Sequence, residues 1–103
     1  MRKLFRKTIT SSDATSATQV KEKTADKRIY ITDLIISVDT AMNVQLQDDA
    51  ESPAVTMEQI YLPANSVFSK SFLTPLQLAE NVDLDVITSV SGNISITTTG
   101  YVV

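Results

Sequence analysis

The sequence predicts an all-β protein, an antiparallel β-sandwich or jelly roll with an extended N-terminal arm. Three observations carry that expectation. From residue 29 onward, apolar residues recur at every second position, the signature of half-buried strands. The alternating runs are short and are punctuated by clusters of Pro, Gly, Asn, Asp and Ser. The spacing of those clusters, about 8–12 residues, leaves no room for long helices.

The strands can be read in order. Ile29 and Ile31 alternate with Tyr30 and Thr32, and Leu34, Ile36 and Val38 alternate with Ile35 and Ser37. The change of phase near Asp33 predicts a bulge or bend. Asp39-Thr40 reads as a turn. Met42, Val44 and Leu46 then alternate with Asn43, Gln45 and Gln47, and Asp48 to Pro53 reads as a loop. Val55, Met57 and Gln59 alternate with Thr56, Glu58 and Ile60, up to Tyr61. Pro63-Ala64-Asn65-Ser66 is turn chemistry. Phe68 and Phe72 flank Lys70 on one face, with Ser69 and Ser71 on the other. Leu76 and Leu78 suggest a short strand after Pro75. Leu84, Val86 and Thr88 alternate with Asp83, Asp85 and Ile87, and Ser91-Gly92-Asn93 reads as a hairpin turn. Ile94, Ile96 and Thr98 open the last strand, which closes on Gly100-Tyr101-Val102-Val103 without a C-terminal tail. Residues 29–103 should therefore hold seven or eight strands.

Length and composition narrow the function. The 103 residues suit one domain, and a hydrophobic share of 43% supports a packed core. Cysteine and histidine are absent. That removes disulfides, thiolate nucleophiles, most zinc chemistry and the usual general base near neutral pH. The expectation is a protein that is not an enzyme, with no cofactor and no small-molecule substrate. No run approaches the roughly 18 apolar residues of a membrane helix. The opening Met-Arg-Lys-Leu-Phe-Arg-Lys resembles the start of a signal peptide, but a polar run from Thr8 to Thr18 follows it. Synthesis in a cytoplasm and no membrane contact are expected.

Charge divides the chain. Residues 1–28 hold eight of the nine basic residues and three acids, whereas residues 29–103 hold Lys70 against nine acids. The pattern reads as a basic arm, residues 1–28, on an acidic sandwich body, residues 29–103. Between Thr8 and Lys27 only Ile9 and Val20 are large and aliphatic. Such a segment cannot offset a backbone ordering cost of about 1–2 kcal/mol per residue. A short helix around Ser12–Lys23 would be marginal. A partner surface would then order the arm. Arg2, Lys3, Arg6, Lys7, Lys21, Lys23, Lys27 and Arg28 would supply charge, with Leu4 and Phe5 as apolar anchors worth roughly 1.5–3 kcal/mol each.

The body also points to assembly. Ile35 and Ile36, Ile60 and Tyr61, Val67 and Phe68, and Val86 and Ile87 are adjacent apolar pairs. Neighbours on a strand face opposite ways, so both faces call for burial and a homo-oligomer follows.

Three segments carry a resemblance. They are Ile29-Tyr30-Ile31-Thr32-Asp33-Leu34-Ile35, Tyr61-Leu62-Pro63-Ala64-Asn65-Ser66, and Asp83 to Val103 with its Ser91-Gly92-Asn93 turn and Gly100-Tyr101 close. Over residues 29–103 the chain resembles small β-sandwich virion proteins of tailed bacteriophages, capsid cement (decoration) proteins among them. The resemblance implies a homotrimer on the capsid surface of a virion. It would bind the major capsid protein and stabilise the head, with residues 1–28 as the clasp. The alternative is a head-fibre or tail-knob module that recognises a host cell-surface glycan through loops such as Asp48–Pro53 or Pro63–Ser66.

Other candidates have plainer readings. The basic pairs could bind nucleic acid, but an acidic body would repel it, so no nucleic acid is expected. Asp48, Asp49 and Glu51 lack the spacing and central glycine of a calcium loop, so no metal is expected. Asp83 and Asp85 share a strand face and read as an acidic solvent face rather than a glycosidase pair. Asn93-Ile94-Ser95 fits a glycosylation sequon and reads as a turn. Tyr61, Phe68 and Phe72 read as core rather than a sugar platform. Lys70 reads as a charge guarding an edge strand, or as one half of an intersubunit ion pair.

Overall fold

The computed structural model describes residues 2–48 and 55–103, and the following statements concern those residues. Eight strands run in chain order: β1 (Lys3–Ser11), β2 (Thr18–Lys21), β3 (Ile29–Val38), β4 (Met42–Asp48), β5 (Val55–Leu62), β6 (Ser66–Gln77), β7 (Leu84–Thr88) and β8 (Ile94–Val102). They form two four-stranded sheets, β1-β8-β3-β6 and β2-β7-β4-β5, and all observed pairings are antiparallel. Successive strands cross from one sheet to the other, except that β4 and β5 are a hairpin. It is a jelly roll.

Alternation builds the core. Ile29, Ile31, Leu34, Ile36 and Val38 from β3 and Ile94, Ile96 and Val102 from β8 are buried. They face Met42, Val44, Leu46, Ile60, Leu62, Leu84 and Val86 of the second sheet. The phase change near Asp33 is a register shift between Ile31 and Asp33 on β3, against both β6 and β8. Gly100 lies where the shifted strand comes close, and a Cβ there would run into the Tyr30 carbonyl. On β6 the same shift is larger. Asp33 pairs with Ser71 and Ile31 with Leu76, so 72–75 bow out and leave Leu73 fully exposed. Leu76 therefore continues β6 and does not start a new strand.

The N-terminal segment differs from its expected form. Residues 1–28 contribute two strands, and residues 29–103 contribute six. β1 pairs with β8 over Lys3↔Val102 to Ser11↔Ile94, and β2 pairs with β7. Ala14 and Val20 sit in the core, and Ser12–Ala17 form a loop rather than a helix. The physical reason is that an edge strand needs little apolar mass. Its ladder hydrogen bonds come from β8, and Phe5 and Ile9 pack at the rim of the core.

Several loop readings also change. Ser91-Gly92-Asn93 turns the chain between sheets and is not a hairpin, because β7 and β8 lie in different sheets. Asn93 is clamped there: its backbone N–H donates to Asp39 Oδ1 at 2.9 Å and its Nδ2 to Oδ2 at 2.7 Å. Asp85 is buried, at 7% exposure, and is not part of a solvent face. Asp83 accepts the Lys23 backbone N–H at 2.7 Å. Asp48 is buried and accepts the Ala79 N–H at 2.8 Å. Asp49 and Glu51 lie outside the described residues. Among those described, no group of carboxylates is placed to hold a metal ion. Tyr61 is exposed, away from the half-buried Phe68 and Phe72.

Candidate partner-binding site

The basic residues picked from the sequence fall into two groups. Arg2 directly precedes β1, and Lys3, Leu4, Phe5, Arg6 and Lys7 occupy its first half. Lys21 ends β2, and Lys23, Lys27 and Arg28 belong to the β2–β3 connection.

In the first group, alternation sorts the side chains. Phe5 pairs with Gly100 and Ile9 with Ile96, so Lys3, Phe5, Lys7 and Ile9 point to the inner side of the first sheet. Leu4, Arg6, Thr8 and Thr10 point to its outer side. The second sheet covers the inner side poorly here, because β2 has only four residues. Phe5 is consequently half-buried, and the Lys21 Nζ lies 5.2 Å from its ring centroid. Lys21 thus joins β1, whereas Lys23 and Lys27 remain exposed in the connection. Arg28 reaches the Leu78 carbonyl at 3.5 Å and exchanges backbone hydrogen bonds with Val103, which anchors the start of β3. Arg28 therefore ties two ends of the fold together.

The outer side of the first sheet is a hydroxyl-rich surface. Across the four strands the rows read Thr10–Ser95–Ser37–Val67, Thr8–Thr97–Ile35–Ser69 and Arg6–Thr99–Asp33–Ser71. Thr8 and Thr97 share a hydrogen bond of 2.8 Å, and Ser71 donates to Asp33 at 2.6 Å. At one end Tyr30 and Tyr101 stack with centroids 4.9 Å apart, and the Arg2 guanidinium lies 4.4 Å from the Tyr101 centroid. Beside that stack, Leu4, Phe5, Arg6, Thr32, Thr99, Gly100 and Tyr101 line a cleft of about 430 Å³.

Tyr30, Tyr101 and Thr99 carry no sign in the strand alternation that marks them as site residues. Each is an ordinary outward strand position until the register sets Thr99 and Tyr101 beside β1 and stacks Tyr30 on Tyr101. The signal that was present is the Gly100-Tyr101 pair, which marks a close approach followed by an outward aromatic.

No protein-family model matches the chain, and no curated protein matches it by sequence. Solved structures do match. The chain is similar to one in the acid-stable capsid of Helicobacter pylori bacteriophage KHP30. That match has a TM-score of 0.67 at 6% identity, covering 100% of this chain and 94% of the other. It is also similar to a protein of Bacillus endospore appendages, a family of disulfide-linked pili, with TM-score 0.58 and 13% identity over 96% and 87% of the two chains. The coat protein of Tobacco streak virus follows with TM-score 0.51 and 8% identity over 95% and 85%. At these identities the likeness is one of fold.

Proposed function

We propose that this protein is a structural component of a virion, a cement protein that sits on the outer surface of a phage head as a homotrimer and stabilises it. The observation that carries the reading is the likeness, end to end over both chains, to a chain of a phage capsid. Little of either chain is left unmatched. Jelly rolls serve many purposes, so the site must add to the case.

It adds in two ways. Leu4 is 79% exposed and Leu73 fully so, and Ile35, Tyr61 and Val67 are also open to solvent. Apolar side chains spread over both sheets suit a subunit with several neighbours. The cations of β1 are exposed as well, and they form the element that faces the major capsid protein. The contact is made by a folded edge strand rather than by a free arm. Arg2, Lys3, Arg6 and Lys7 supply charge, Leu4 and Phe5 supply apolar contact, and Lys21 supports the edge.

The test is the protein content of purified particles from the virus that encodes this chain. The expected result is a copy number comparable to that of the shell protein, with the chain released before the shell opens. Particles that lack the chain, or that carry it only at the tail, would overturn the cement reading.

A further inference from the structure

We propose that the free side of β1 is a strand-addition edge that takes an extended acidic segment of a partner protein. The inference rests on the reading of β1 as the partner-facing element and adds the chemistry of what binds there.

The backbone comes first. β1 runs for nine residues and pairs with β8 on one side only. Every second N–H and C=O along its other side therefore points to solvent, which is a ready template for a further strand.

The side chains then select the occupant. From Arg2 the edge reads two cations, two apolar residues, two cations: Arg2-Lys3, Leu4-Phe5, Arg6-Lys7. An added strand matches this when two acidic pairs flank an apolar pair. That pattern is its own mirror, so it fits in either strand direction.

The opposite edge strand of the same sheet, β6, carries a matching lysine. One inward row crosses the first sheet as Lys7–Thr98–Leu34–Lys70, with a lysine on each edge strand. On β6, Lys70 meets Glu58 of β5 at 3.5 Å. On β1, no carboxylate among the described residues pairs with Lys3, Arg6 or Lys7. The nearest strand of the other sheet brings a further cation, Lys21, over Phe5. The same device occurs twice, and among the described residues one copy of it, at Lys70, holds a counter-ion.

Among the described residues, the chain's own edge strands do not provide a counter-ion for β1. β2 ends on Lys21, β6 carries Lys70, and the Glu58 of β5 is already engaged. Extending the first sheet in register from one copy to the next would set Lys7 beside Lys70. Pairing β1 with β1 would oppose cations to cations. Both arrangements are repelled, so β1 is closed to a second copy and open to an acidic strand.

The purified full-length protein tests this with a labelled peptide, Thr-Glu-Glu-Val-Val-Glu-Glu-Thr. Controls replace Glu by Lys, or methylate alternate backbone nitrogens. The expected results are binding that weakens with salt and slowed amide exchange confined to β1 and the β8 ladder. The Lys peptide should not bind. The doubly reversed variant Arg6→Glu/Lys7→Glu should lose at least about tenfold in affinity. If that variant misfolds, Arg6→Gln/Lys7→Gln gives the same reading with a smaller loss.

Equal binding of the N-methylated peptide would mean attraction without strand addition, and would overturn the proposal. So would tighter binding of a DNA duplex than of the acidic peptide, or no binding of that peptide at low salt. The assay needs no capsid. A failed peptide with the chain still present in particles sinks only the strand-addition idea. A bound peptide with the chain absent from particles sinks only the virion role.

Discussion

Gly100 shows how one residue can hold a register. It faces inward on β8, where the bulged β3 brings the Tyr30 carbonyl into the space a Cβ would need. The obstacle is backbone, which cannot rotate away. Gly100→Ala should therefore destabilise the fold by about 3 kcal/mol, the upper end for overpacking, read from the shift in a urea midpoint. Thr98 predicts the opposite sign. Its side chain is fully buried, and its Oγ1 has no hydrogen-bond partner among the described residues. Thr98→Val keeps the shape and removes an unsatisfied hydroxyl, so it should stabilise by about 1 kcal/mol. A lower melting temperature for Thr98→Val would show that the hydroxyl is satisfied in solution. Asp39 predicts a pH effect. The Thr40 hydroxyl and the Asn93 side chain both donate to it, which holds its carboxyl below the ordinary value of 3.8. A carboxylate lowered on folding contributes stability above its ordinary value and loses it as pH falls through its lowered one. Asp39→Asn should accordingly flatten the loss of stability below about pH 4, as measured by acid titration of ellipticity. These particulars were unevenly legible. Gly100 beside an aromatic hinted at a close approach, but Thr98 looked like any inward strand residue.

At the scale of elements, β1 is the instructive case. Its sequence, rich in cations with scattered threonines, lacks the apolar content of a strand that folds by itself. Single-chain patterning therefore reads it as an arm. The structure supplies what the pattern lacks: a ladder of hydrogen bonds from β8 and a rim position where lysine can reach water. This changes the outcome expected of truncation. Removing residues 1–28 takes away two edge strands and pulls Ala14 and Val20 from the core. The shortened chain should lose its cooperative thermal transition rather than persist as a folded body. A sharp melt from residues 29–103 alone would show that six strands suffice. β3 to β8 were more legible, because each carries a clear period-two run bounded by turn residues. Even there, the pairing order escaped the sequence, as did the bow at 72–75 that exposes Leu73.

For the whole molecule, the charge pattern matters more than the net charge of −3. Four cations, Arg2, Lys3, Arg6 and Lys7, crowd the start of β1, and the other five basic residues stand against all twelve acids. The protein is an acidic sandwich with one basic edge. It is small, with a Cα radius of gyration of 12.9 Å and extents of 40 × 28 × 19 Å. A body of that size with exposed Leu4, Ile35, Val67 and Leu73 gains from neighbours. Light scattering of the full-length protein should give the mass of a trimer, unchanged by Lys7→Glu if the proposed acidic strand, and not a second copy, takes β1. A monomer at all concentrations would overturn self-assembly of the chain.

The sequence by itself determined that the chain is all-β, where most of the strands from β3 onward begin and end to within a few residues, and that its N-terminal segment is basic. Those properties are local: alternation, turn residues and charge can be read one stretch at a time. Only the tertiary structure decided that the basic segment is an edge strand, that Lys70 meets a carboxylate while Lys7 meets none among the described residues, and that Tyr101 lies between Arg2 and Tyr30. Each depends on register between strands far apart in sequence, and pairing is set by the closure of the whole sandwich rather than by any one strand.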